Sequence, residues 1–214
     1  MGSLEVVPAE RARDLIGAAL QPVVADFEHV RGLVWSKPLS AGIRAVLDVQ
    51  ALRGGQFDIR YGVCCDWVPH RHSDTYSWHR TLKQTRLDLW VDHFTVDAER
   101  RQWISRLEGE RQVRRQAAKA VRQVAEPAAA WWDATGSEAG VLSEAYRQAA
   151  NAFDIHEPRA RLVVAFTHAR LGDLPAAQRE LALAVPTSET RRSNDLNGRL
   201  TEIAAVHPSS DAGS

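Results

Sequence analysis

Cysteine and lysine are scarce in this chain of 214 residues. The two cysteines, Cys64 and Cys65, are adjacent and cannot close an ordinary disulfide, so we expect a reducing, cytoplasmic environment. Lys37, Lys83 and Lys119 are the only lysines among 27 basic residues, a bias typical of a GC-rich genome. The first charges of the chain are acidic, and we expect no signal peptide.

The sequence also lacks net charge and long apolar runs. Its 27 basic residues equal its 27 acidic ones, so binding to nucleic acid or anionic lipid would need a local patch. No apolar stretch reaches the roughly 18 residues of a membrane span, and we expect no membrane partner. With 44% hydrophobic and 25% charged residues, the composition is that of a globular protein.

The common catalytic sequence motifs are missing as well. The chain has no G-x-S-x-G, no phosphate-binding G-x-x-x-x-G-K-[ST], no G-x-G-x-x-G, no H-E-x-x-H and no C-x-x-C. We therefore favour a protein that is not an enzyme, and we expect no cofactor.

The first half of the sequence predicts one helix and several strands. A helical pattern begins after Pro8 and continues through Leu20, and apolar residues alternate with polar ones in the segments that follow. The predicted strands lie around Trp35 and over residues 43–50, 57–63 and 87–94. Gly54 and Gly55 supply the positive φ angles of a tight turn, so the two middle strands should form an antiparallel hairpin.

The second half predicts helices. A long helix is expected over residues 96–124, ending before Pro127. Four more are predicted over residues 137–153, 158–171, 174–185 and 189–206. The fold class is therefore α+β, an antiparallel sheet of about four strands with flanking helices followed by an all-helical C-terminal half. We expect an α+β module over residues 1–126, a helical module over 127–206 and a disordered tail over 207–214.

Residues 160–186 carry the most recognisable pattern of the chain. Its small and apolar members are Ala165, Leu171, Gly172, Asp173, Ala177, Leu181, Ala184 and Pro186. The segment resembles a single tetratricopeptide repeat, which implies two antiparallel helices joined at Gly172 and Asp173. Such arrays need about three repeats to stand alone, so we favour a hairpin that packs on the N-terminal module over a peptide-binding surface.

A second resemblance covers residues 27–68. It rests on Phe27, Trp35, Val49, Gln50 and the run Phe-Asp-Ile-Arg-Tyr-Gly-Val at residues 57–63. The segment is similar to a bacterial α+β domain of unknown function. This resemblance implies a fold and no activity.

Three histidines are close enough in sequence to form a metal site. His70 and His72 are two residues apart, and His79 follows in the same polar segment. Three imidazoles with Asp66 or Asp74 as a further ligand or base would suit a metal-assisted hydrolase or nuclease. A solvated polar loop is the competing interpretation, and we prefer it.

The segment from residue 78 to residue 90 mixes aromatic and basic side chains. Its candidate partner-binding residues are Trp78, Arg80, Lys83, Arg86 and Trp90. Tryptophan and arginine dominate the binding energy of many protein interfaces. The alternative is an edge strand with its loop.

Residues 100–122 contain eight basic residues against Glu108 and Glu110. Arg111, Arg114 and Arg115 fall at helical spacing and are further candidates for binding a partner. Nucleic acid is a possible but disfavoured partner. The chain has no net charge, so its positive electrostatic potential does not extend beyond this helix. We expect the basic face to pack on the C-terminal half.

Together these patterns favour a non-catalytic, cytosolic bacterial protein that interacts with another protein, of a regulatory or immunity and defence type. The first alternative is the metal-assisted hydrolase or nuclease with His70, His72 and His79. The second alternative is a nucleic-acid-binding protein that uses the helix over residues 100–122.

Overall fold

The computed structural model describes residues 6–72, 75–78, 81–91, 103–150, 157–185 and 190–207. The described residues form six α-helices and eight strands. In chain order these are α1 (Ala9–Leu20), β1 (Glu28–Arg31), β2 (Val34–Ser40), β3 (Ile43–Leu52), β4 (Gln56–Cys65), β5 (His70–His72), β6 (Thr75–Ser77), β7 (Leu89–Trp90), β8 (Ile104–Ser105), α2 (Glu110–Thr135), α3 (Glu138–Ala149), α4 (Glu157–Arg170), α5 (Leu174–Ala184) and α6 (Thr190–Val206).

The chain divides into two compact units. Unit 1 comprises the described parts of Met1–Leu39, Arg44–Val63 and Thr81–Asp133. Unit 2 comprises the described parts of Ser40–Ile43, Cys64–Arg80 and Ala134–Ser214. The chain passes between the units several times, so neither unit is one continuous segment.

The main sheet is antiparallel and has the strand order β1-β2-β3-β4-β7, with β8 also paired to β4. The predicted α+β class is confirmed. The four strands expected from the sequence are β2, β3, β4 and β7, which are neighbours in this order. Two short strands, β1 and β8, bring the number of strands in the sheet to six. They were not predicted, because each follows or precedes a turn and is too short to produce an alternating pattern.

The hairpin between β3 and β4 forms where the glycines predict it. A short 3₁₀ turn, Arg53–Gly55, joins the strands, with φ angles of 75° at Gly54 and 74° at Gly55. These left-handed conformations are strained for residues with a side chain. The expected strand over residues 87–94 is shorter in the structure, since β7 covers Leu89–Trp90 and residues 92–94 lie outside the described part.

Strands β4 and β7 approach very closely at Gly62. This residue pairs with Trp90, and a Cβ atom added to it would lie 2.0 Å from the carbonyl oxygen of Leu89. The carbonyl oxygen of Gly62 accepts a hydrogen bond of 2.9 Å from the indole Nε1 of Trp132 in α2. The absence of a side chain at Gly62 therefore permits the close strand pairing, and its backbone carbonyl attaches α2 to the sheet.

Helix α2 differs from its predicted bounds at both ends. It begins at Glu110 rather than near residue 96, because Ile104 and Ser105 pair with β4 and Gly109, at a φ of 81°, turns the chain before the helix. Pro127 lies inside the helix instead of ending it. A proline costs one backbone hydrogen bond, but burial of Val124, Ala128 and Trp132 offsets that cost.

In unit 2, helix α4 contacts α3, α5 and α6. The side chains of Val163, Val164, Ala165 and Phe166 have no exposed surface. Four consecutive residues point to all sides of a helix, so this part of α4 is buried on every side. The turn between α4 and α5 contains Gly172, at a φ of 81°, as its position in the sequence predicts. None of the described helices combines the length and the apolar character needed to cross a membrane.

We expect replacement of Gly62 by alanine to destabilise unit 1 by about 3 kcal/mol or more, because the new methyl group would overlap the Leu89 carbonyl. Gly198 in α6 is the matched control, since nothing lies within 4 Å of the Cβ that alanine would add there. Gly198→Ala should raise the free energy of unfolding by about 0.5–1 kcal/mol. Urea unfolding of both variants tests this, and equal stabilities would contradict the close approach.

Candidate interaction surface

Helix α2 has one buried face and one basic face. Its buried side chains include Val113, Ala117, Val124, Ala128 and Trp132. Five cations of this helix are exposed, and we call them the basic strip: Arg111, Arg114, Arg115, Lys119 and Arg122. At the helical repeat, these residues fall within roughly 140° of the circumference and along about 17 Å of the axis.

The basic strip has little internal compensation. Arg114 Nη2 lies 3.6 Å from Glu110 Oε2 at the start of the helix. Arg111, Arg115, Lys119 and Arg122 form no ion pair with any residue in the described part of the chain. The sequence from residue 111 to residue 125 contains no Asp or Glu.

Glu110 is already engaged by a second arginine from α1. Arg11 Nε donates to Glu110 Oε1 at 2.7 Å and Arg11 Nη2 donates to Oε2 at 3.0 Å. The hydrogen bond from Arg11 and its positive charge lower the pKa of Glu110, with a smaller contribution from Arg114. The carboxylate therefore neutralises Arg11 first and leaves the positive charge of the strip largely intact.

The placement of these cations does not favour the helix itself. Arg111 and Arg115, and Arg115 and Lys119, are like charges four residues apart, and each such pair costs about 0.2–0.5 kcal/mol. The first of them lie near the helix N-terminus, where the helix dipole disfavours positive charge. All five side chains of the basic strip are nevertheless exposed to solvent.

The other candidate partner-binding residues fall in different units. Trp78 is half-buried in unit 2, with its ring centroid 6.0 Å from that of Phe166, whereas Lys83, Arg86 and Trp90 belong to unit 1. The Trp90 side chain is 9% exposed, so it contributes mainly to the core. Arg80 lies outside the described residues.

Arg86 is held within the fold. Its Nε donates to Asp88 Oδ1 at 3.3 Å, and the Asp88 side chain is fully buried. Lys83 is exposed in a short 3₁₀ turn, Leu82–Gln84, and its carbonyl oxygen accepts a hydrogen bond from Arg31 Nη1.

The histidine candidates lie on and beyond a small hairpin in unit 2. His70 pairs with Ser77, and His72 pairs with Thr75, across strands β5 and β6. His79 lies outside the described residues. Within the described part, no group of three or more His, Cys, Asp or Glu residues is arranged to hold a metal ion.

No family model, no curated protein and no solved structure matches this chain. Geometry and charge therefore carry the functional argument. The basic strip could be found in the sequence from its spacing and from the absence of acidic residues after Glu110. The Arg11–Glu110 pair could not, because its partners are 99 residues apart and neither belongs to a recognisable motif.

The lowered pKa of Glu110 makes a prediction about pH. A carboxylate with a lower pKa in the folded state than in the unfolded state stabilises the fold at neutral pH, and this contribution is lost as the pH falls through the folded-state value. Glu110→Gln should therefore lower the free energy of unfolding at pH 7 and have a smaller effect near pH 3. Urea unfolding at both pH values measures this, and an equal effect at both would contradict the pairing.

Neutralising part of the basic strip should not harm the fold. We expect the triple variant Arg111→Gln, Arg115→Gln, Lys119→Gln to raise the free energy of unfolding by about 0.5 kcal/mol, because two like-charge pairs are removed and Gln is as good a helix former as Arg or Lys. The matched control replaces the exposed residues Arg13, Arg53 and Arg179 by Gln. Its stability should stay within about 0.5 kcal/mol of the parent. A clear loss of stability in the strip variant would mean that these side chains pack within the fold.

Proposed function

We propose that this chain is a non-catalytic, cytosolic interaction protein that binds an acidic surface of another protein through the basic strip. The observation that carries the proposal is a row of five exposed cations, four of which have no ion-pair partner among the described residues. This charge arrangement lowers the stability of α2. A role in binding another molecule would explain why the helix carries it.

The extent of the positive charge favours a discrete acidic patch over a nucleic acid. Glu110 lies at one end of the strip, and the exposed Glu126 follows one turn after its other end. The chain as a whole has no net charge. Proteins that track a phosphate backbone usually present a wider basic surface and an overall positive domain. A local strip of about 17 Å on one helix matches a patch of carboxylates on a protein surface.

The composition of the strip supports the same partner. Four of its five cations are arginines, whose planar guanidinium groups donate two parallel hydrogen bonds to a carboxylate. Because helix α2 is anchored by its buried face, the arginine Cα positions are fixed before binding. Less conformational freedom is then lost when the partner docks.

Site-specific photo-crosslinking in the source cells tests the proposal. A photoreactive amino acid at position 115 or 119 should give an adduct with the same protein, and the same amino acid at the exposed position 53 should not. The purified partner should bind the triple Gln variant of the strip at least tenfold more weakly than the parent chain, with the control triple variant unchanged.

Three results would overturn the proposal. They are adducts with nucleic acid at positions 115 and 119, the same adducts at position 53, and partner binding that the strip variant retains in full. Measuring the affinity for the partner at two salt concentrations further distinguishes nucleic acid from an acidic protein. Release of ions from a phosphate backbone makes the affinity fall steeply with salt, in proportion to the number of phosphates that the protein neutralises.

A further inference from the structure

Unit 2 contains a cavity of about 340 Å³ that none of the candidate residues above accounts for. Its walls come from Trp67 in the segment after β4, from Arg170 at the end of α4, and from Arg199, Ile203 and Val206 in α6. The volume lies at the lower end of the range for small-molecule sites. The basic strip belongs to unit 1 and shares no residue with this cavity.

Arg170 is held in one orientation inside this cavity. Its guanidinium carbon lies 5.5 Å from the ring centroid of Trp67, and its Nε donates to Glu138 Oε1 at 2.9 Å. Its Nη1 lies 2.7 Å from His207 Nε2. Because a guanidinium can only donate, the imidazole nitrogen is the acceptor in this contact.

The aromatic support under Arg170 is itself fixed. Trp67 Nε1 donates to Thr167 Oγ1 at 3.2 Å, so the indole cannot rotate without losing this hydrogen bond. Gly42, at a φ of 80°, lies against the ring, and a Cβ atom there would approach Trp67 to 3.0 Å. Thr167 and Gly42 thus hold Trp67 in place, and Trp67 in turn positions the guanidinium of Arg170.

Two guanidinium groups in the cavity keep unused donors. Arg170 Nη2 makes no hydrogen bond with any residue that the structure describes, and the same holds for Arg199 Nε and Nη2. Arg199 Nη1 donates to Glu202 Oε2 at 2.6 Å. Oriented N–H groups of this kind, next to the aliphatic side chains of Ile203 and Val206, suit an anionic group attached to an apolar body.

We propose that this cavity binds a small organic monocarboxylate with an aromatic or branched aliphatic body. The carboxylate accepts hydrogen bonds from Arg170 Nη2 and from Arg199, and the apolar body lies against Ile203 and Val206. Asp66 and Glu202 also line the cavity, and their negative charges disfavour ligands that carry two or more charges. The class of ligand is therefore a monoanion and excludes phosphate esters.

Calorimetric titration of the full chain with 3-phenylpropionate tests this inference, with 3-phenylpropionamide as the uncharged ligand of the same shape. The acid should bind and the amide should bind at least tenfold more weakly. Arg199→Gln should weaken binding of the acid about tenfold, as the loss of a charge-assisted hydrogen bond predicts. Arg161→Gln is the matched control, because this arginine of α4 pairs with Glu180 and does not line the cavity.

Arg170→Lys keeps the positive charge but removes the planar guanidinium with its oriented N–H donors, so it should also weaken binding of the acid. If this variant fails to fold, Arg199→Gln alone decides the matter. Equal binding of acid and amide, no heat with either ligand at about 5 mM, or full binding by folded Arg199→Gln would overturn the inference. Tighter binding of the peptide Ala-Ala-Ala-Phe than of 3-phenylpropionate would also overturn it, by assigning the cavity to a protein C-terminus.

Discussion

The packing of α2 on the sheet, which includes the hydrogen bond from the indole of Trp132 to the carbonyl oxygen of Gly62, determines which face of the helix is exposed. This hydrogen bond attaches the C-terminal part of the helix to β4, and the ring of Trp132 also lies 5.3 Å from Phe27 and 6.2 Å from Tyr61, measured between centroids. Val113, Ala117, Val124 and Ala128 are buried on the same side of the helix, and most of the basic strip lies outside this buried stripe. The basic strip is thus a consequence of how the helix is anchored.

Anchoring and exposure together explain why this helix can carry an unfavourable charge pattern. Exposed like charges at helical spacing cost a few tenths of a kcal/mol per pair, whereas burial of a single large side chain contributes about 1.5–3 kcal/mol. The buried face therefore tolerates the basic face with a wide margin. The cavity of unit 2 differs from the basic strip in how its cation is held. The guanidinium of Arg170 is oriented by Trp67, Glu138 and His207.

Features that depend on local chemistry could be predicted from the sequence. Gly54 and Gly55 marked the hairpin because tight turns need positive φ angles, and Pro8 marked the start of α1. Features that depend on distant pairing could not. Strand β8 has two residues and exists because Ile104 pairs with Phe57, and Pro127 stays inside α2 because the buried stripe continues on both sides of it.

The two sites differ in the same way. The basic strip lies within one helix, so its spacing was visible in the sequence, although its exposure was not. The cavity brings together Gly42, Trp67, Arg170 and Arg199, which are far apart along the chain and belong to no motif. Lone arginines and a lone tryptophan carry no signal until the fold places them side by side.

We propose the basic strip as the contact surface for an acidic protein. The most direct measurement is arginine modification by phenylglyoxal, read by mass spectrometry, in the free chain and in the chain bound to its partner. The account predicts that Arg111, Arg115 and Arg122 react in the free chain and are protected in the complex, while Arg13 and Arg53 react equally in both states. Equal reactivity of the strip arginines with and without the partner would contradict it.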